Sequence, residues 1–228
     1  MSIQCLVYNV KTGQVTEELP FSSAQFTQQL NDMGSFSITL PLSMRSGSYE
    51  KLNQSNLGVL ESIVVFLRGG IPLFAGWVTS EDIEVSEDSE SMVIGGPSAS
   101  VGYLHRRCLV TNRVYEDDEQ FDIIDDLLST IIFEGMTIIP TWDSPSGQLR
   151  ERTYWASDRQ IIGELVDGFG GIQNGVDYIP EVIGDQETGF SLILRLGSPL
   201  IRRTSYVLDL EKNVSRARVV RDGEVVAN

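Results

Sequence analysis

The chain has 228 residues, 41% of them hydrophobic and 21% charged, enough for one large all-β domain or two smaller units with cores of their own. Asp and Glu number 32 against 17 Lys and Arg, a net charge of −15 that argues against a nucleic-acid binder, which needs cations to neutralise phosphates. The same acidity fits a surface that nucleic acid slides past, and equally one charged for solubility alone. No apolar run reaches the roughly 20 residues of a membrane helix, and Met1 to Cys5 do not begin a secretory leader, so cytosolic synthesis is expected.

Residues 1 to about 97 read as strands. Ser35 to Leu40 alternate polar and apolar, which places Phe36, Ile38 and Leu40 on one buried face, and Pro41 is expected to stop the ladder. Ile63 to Leu67 form a continuous apolar strand, followed by an Arg68-Gly69-Gly70 turn and the return Pro72 to Val78. A second hairpin joins Ile83–Val85 to Met92–Ile94 through the acidic tip Ser86 to Glu90, with its apolar residues on one face. Such a meander suggests a small barrel or sandwich.

The texture changes after Gly95-Gly96-Pro97. A helical turn around Val101 to Leu104 ends in Arg106-Arg107. Asp117-Asp118-Glu119 then precede Phe121, Ile124, Leu128 and Ile131 at helical spacing, and carboxylates there favour the positive end of a helix. A second helix is predicted from Ser157, with Gln160 completing a capping box, Ile161, Leu165 and Val166 buried, and Gly168, Gly170 and Gly171 ending it. Asp143 to Gly147 read as a surface loop. Strand returns at Tyr178–Ile183, answered by Phe190–Leu194 across Gly184 to Gly189, and Arg216 to Val226 form a hairpin about Asp222-Gly223. The fold class is mainly β with an α+β insertion.

No catalytic constellation stands out. His105 is the sole histidine and no Gly-x-Ser-x-Gly elbow accompanies it, so it reads as a partly exposed structural residue. Cys5 and Cys108 read as reduced thiols at buried or half-buried strand positions, without the partners a zinc site needs. The pairs Asp117-Asp118, Asp125-Asp126 and Glu87-Asp88 are expected by chance in an acidic chain. Gly168 to Gly171 close a helix, whereas a phosphate cradle opens one. Trp77, Trp142 and Trp155 could form a sugar platform, with core or interface packing as the plainer account. No catalytic, cofactor or metal residue is assigned.

The segment Leu30-Asn31-Asp32-Met33-Gly34-Ser35-Phe36-Ser37-Ile38-Thr39-Leu40-Pro41 resembles the early Asn-x-x-Gly turn and Phe-x-Ile/Phe-x-Leu-Pro strand of the bacteriophage tail hub family, baseplate-hub and tail-tip minor tail proteins. Pro72 to Val78 resemble that family's following hairpin, Tyr103-Leu104-His105-Arg106-Arg107 its Leu-x-x-Arg segment, and Asn213 to Asn228 its late β-hairpin.

The resemblance implies a trimeric hub ring at the distal end of the tail tube, with tube-like β-domains around a DNA-ejection channel and an α+β module decorating the outside. Residues 1–103 would be a tail-tube-like barrel or sandwich, 104–188 the decorating module, and 189–228 a β segment returning to the first domain or starting a second. Family chains continue past the equivalent of Asn228, so a second tube-like domain is expected to be short, incomplete or differently built. Implied partners are the distal tail protein and tail tube, the tape measure protein and tip or fibre proteins, with DNA only in passage and residence in the virion tail tip. Glu81, Asp82, Glu84 and Trp77 are the candidate lumen-facing or interface residues; the tip Glu87, Asp88 and Glu90 is read as more simply solvated. Alternatives are a distal tail ring or tube component, a β-rich carbohydrate-binding module, and a hydrolase.

Overall fold

The computed structural model describes residues 3–42, 57–85, 90–131, 138–197, 204–211, 214–221 and 224–227. The chain runs β1 (Ile3–Asn9), β2 (Gln14–Glu18), β3 (Ser23–Gln28), β4 (Ser35–Leu42), β5 (Ser62–Arg68), β6 (Ile71–Trp77), β7 (Ser80–Val85) and β8 (Glu90–Pro97). The short helix α1 (Ala99–Leu104) leads into β9 (Arg113–Glu119), α2 (Gln120–Ser129), β10 (Ile138–Thr141), β11 (Leu149–Tyr154) and α3 (Ile162–Gly170). β12 (Asp177–Asp185), β13 (Gly189–Gly197), β14 (Thr204–Glu211), β15 (Val214–Arg221) and β16 (Glu224–Ala227) complete it.

Three layers result. A seven-stranded sheet, β16-β15-β14-β3-β4-β8-β7, faces a four-stranded sheet, β2-β1-β5-β6. The four-stranded sheet is covered on both sides. Cys5, Val7, Val64, Phe66 and Phe74 meet Phe26, Phe36, Ile38, Leu40, Met92 and Ile94 of the seven-stranded sheet. Leu6, Tyr8, Ile63, Val65, Leu67 and Trp77 pack instead with α1, α2, α3, β12 and β13. A strand buried on both faces must be apolar at every position, which explains the unbroken run Ile63 to Leu67, each residue at most 1% exposed. Burial also pushes the Cys5 thiol up from 9.0 to about 12. Cys108 is an exposed free thiol that makes only an isolated bridge to Ile161, so it lies outside the strands and more open than expected.

The β5–β6 turn is a two-residue hairpin in which Gly69 and Gly70 take φ of 59° and 85°, angles only glycine adopts freely. Gly76 has a different task. A Cβ there would lie 2.1 Å from the Phe36 ring, so its bareness admits the ring between the sheets.

Several expectations need correcting. Pro41 does not stop β4, which pairs on with β8 through Pro41↔Ser91 and Leu42↔Glu90. The Thr39 carbonyl accepts from Ser22 N, and Pro41, two residues along, faces the same side beyond the last β3 pairing, so its missing N–H removes no ladder bond. The Ser157–Gln160 capping box does not form: Ala156–Asp158 make a 3-10 turn, Arg159 takes φ 51°, and α3 starts only at Ile162. A division at 188/189 would cut the β12–β13 hairpin, which pairs from Asp177↔Gly197 to Asp185↔Gly189. The last three strands extend the first sheet, β14 pairing with β3 from Tyr206↔Gln28 to Glu211↔Ser23. The β7–β8 tip residues Glu87 and Asp88, and the Asp222-Gly223 turn between β15 and β16, lie outside the described residues.

The α+β layer shares its core with the central sheet and is also clasped to the sandwich. Asn31, at φ 55° in the β3–β4 turn, donates its backbone N–H to the Tyr178 carbonyl at 2.9 Å. Its Oδ1 accepts from Tyr178 N at 2.7 Å and its Nδ2 donates to Asp177 at 2.6 Å. Gln28 Nε2 donates to the Pro180 carbonyl beside it. The Asn-x-x-Gly turn is therefore the fastening between the layers.

Candidate functional site

His105 Nε2 lies 3.3 Å from Asp167 Oδ2, and Tyr178 donates its hydroxyl to Asp167 Oδ1 at 2.5 Å. This grouping fastens α1, α3 and β12 together. Burial, with Asp167 next to it, pushes the Tyr178 hydroxyl well above its ordinary value, which opposes any nucleophilic use. The imidazole packs where a side chain at Gly163 would otherwise lie. Among the described residues, no three His, Cys, Asp or Glu side chains are placed to hold a metal. The tryptophans are dispersed. Trp142 packs on Phe121, Trp155 is half exposed, and Trp77 is 6% exposed.

Trp77, read from sequence as a lumen or interface residue, is an interior one. Tyr103 meets its ring edge-on and the Arg106 guanidinium lies 4.9 Å over it. Glu81, Asp82 and Glu84 are exposed on β7, the outermost strand of its sheet. The register divides them. Glu81 pairs with Ile94 and Ile83 with Met92, both core residues, so Glu81 and Ile83 overhang the inner side of the sheet. Asp82 pairs with Val93 and Glu84 with Ser91, which puts those two carboxylates on the outer side. The three acids are thus two surfaces.

The outer face can be followed across four strands. The pairings Ser23↔Thr39, Gln25↔Ser37 and Thr27↔Ser35 place small polar residues side by side on β3 and β4. Thr39↔Val93, Ser37↔Gly95, Ser80↔Gly95, Asp82↔Val93 and Glu84↔Ser91 carry the face across β8 to β7. No Lys or Arg falls on it over these strands. Further along the same sheet β14 pairs with β15, with Asp209 in register with Arg216.

No protein-family model matches the sequence, and no curated protein matches it. The fold does have solved counterparts. It is similar to the 43 kDa tail protein of prophage MuSo2 from Shewanella oneidensis, at TM-score 0.50 and 11% identity over 84% of this chain and 55% of that one. It is similar also to the tail protein from Neisseria meningitidis MC58, at TM-score 0.50 and 9% identity over 84% of this chain and 50% of that one. This chain thus spans about half the length of those proteins. The architecture, mainly β with few helices, is similar to that of these two solved tail proteins.

Proposed function

We infer that the chain is a non-enzymatic structural subunit of a bacteriophage tail tip. In this reading it forms a hub ring, three-fold about the tail axis, that closes the distal end of the tail tube and leaves a bore for DNA. Its neighbours would be the distal tail protein and tail tube, the tape measure protein and tip or fibre proteins, all within the virion after synthesis in the host cytoplasm. The observation that carries the reading is the outer face of β3, β4, β8 and β7. A bore for a polyanion needs a smooth wall on which phosphates find no cation, because each such contact adds salt-dependent affinity. Hydroxyl and amide side chains, with Val93 and Gly95 among them and Asp82 and Glu84 at the margin, make such a wall. The β7 edge would be covered by a neighbouring subunit, since an uncovered edge invites unspecific pairing.

The divided carboxylates supply the test. Particles carrying Asp82→Lys/Glu84→Lys are expected to assemble normally and eject DNA slowly, the more so at low salt. Glu81→Lys, on the other side of the sheet, is expected to leave ejection unchanged. Ejection at the wild-type rate in the double variant, or equal slowing in both variants, would place the bore elsewhere.

A further inference from the structure

Among the described residues the two strands β9 and β11 pair only with each other, as a ribbon lying on α2 and α3. Its composition is inverted. Tyr115↔Arg152 and Arg113↔Tyr154 are direct pairs, so Arg113, Tyr115, Arg152 and Tyr154 share the covered face, and Arg150 joins them two residues before Arg152. Each arginine has a partner there. Arg113 meets Asp126 at 2.6 Å, Arg150 donates to the Gln173 carbonyl at 2.9 Å, and Arg152 lies 5.8 Å over the Phe169 ring.

The outward face receives what a solvated strand would normally hide. Leu149, Val114 and Trp155 are 60%, 57% and 50% exposed. Between them lie Glu116 and Glu151, both exposed, and Asp117, which bulges out at φ 56°. Among the described residues none of these three carboxylates has an ion pair, because every arginine of the ribbon is turned the other way.

We propose that the outward face of the β9–β11 ribbon is a docking surface for a basic, apolar segment of another protein. An apolar partner removes Leu149, Val114 and Trp155 from water, with Trp155 as the anchor. Covering them also desolvates Glu116, Asp117 and Glu151, which is unfavourable unless the partner supplies cations. A second copy of this face would set carboxylate against carboxylate, and a nucleic acid would add its own negative charge. The ribbon lies on the α+β layer, away from the seven-stranded sheet, so this assignment stands whether or not that sheet lines a bore.

The probe is a fluorescent octapeptide of alternating lysine and valine, with a glutamate–valine peptide as its counterpart, titrated into the whole protein. Saturable binding of the basic peptide is expected, with a change in Trp155 emission. Glu116→Lys/Glu151→Lys and Leu149→Ser should each weaken it roughly tenfold or more. Asp125→Lys/Glu187→Lys alters net charge equally at exposed positions elsewhere, and is expected to bind as wild type. The proposal is overturned if the basic peptide does not saturate the protein, if the acidic peptide binds as well, or if the distant pair weakens binding as much as the ribbon pair. Self-association abolished by Leu149→Ser would overturn it too, in favour of a second copy.

Discussion

Replacing Phe36 by alanine is expected to lower the unfolding free energy by about 3–5 kcal/mol, read as a fall in urea midpoint at unchanged slope. Phe36 is 5% exposed between the two sheets, with Phe66 and Phe74 at 5.9 and 6.4 Å. The site cannot readily collapse to fill the space, because β4, which carries Phe36, and β5, which carries Phe66, are each paired on both sides. Gly76→Ala should also destabilise strongly, since the new methyl meets the Phe36 ring. The two changes share one volume, so the double variant should lose less than the sum of the singles. Additive losses would mean that Phe36 and Gly76 do not face each other between the sheets.

Asn31→Ala should cost about 2–3 kcal/mol, large for an exposed turn position. The Tyr178 N–H loses its acceptor, Asp177 loses a donor, and alanine must hold φ 55°, which asparagine tolerates better. Asn31→Gly keeps the turn and loses only the side-chain bonds, so it should be milder. Hydrogen exchange at the Tyr178 amide should quicken in both variants. Wild-type stability in Asn31→Ala would show that the shared core alone holds the α+β layer in place.

Sequence pattern revealed these structures unevenly, for physical reasons. Ser35 to Leu40 was readable because one of its faces is wet and the other dry, as the burial of Phe36, Ile38 and Leu40 shows. Ile63 to Leu67 was readable as a strand, but its meaning as a central layer was not, since a continuous run does not say what covers each face. The ribbon was missed because period two was present with the wrong sign. In Leu149-Arg150-Glu151-Arg152-Thr153-Tyr154 the arginines face inward, satisfied by partners distant in sequence. The pairing of β14 with β3 is also non-local, and no turn signal announces it. Glu81, Asp82 and Glu84 read in sequence as one group of lumen-facing or interface candidates, but adjacent strand residues point to opposite faces, so proximity in sequence overstates their kinship. Trp77 was misplaced because an aromatic beside a glycine-rich hairpin reads alike in a core or at an interface. The Asn31 fastening had a signal, the Asn-x-x-Gly spacing, whose partner on β12 only the fold supplies.

We propose that this chain forms the hub ring of a tail tip with the β3, β4, β8 and β7 face of its seven-stranded sheet toward the bore. Electron cryomicroscopy of the intact particle is the deciding measurement. Three-fold density for this chain is expected at the distal end of the tail tube, with the Ser37, Thr39 and Asp82 side of the sheet facing the axis. A six-fold ring, a position off the axis, or the same sheet turned away from the bore would contradict it.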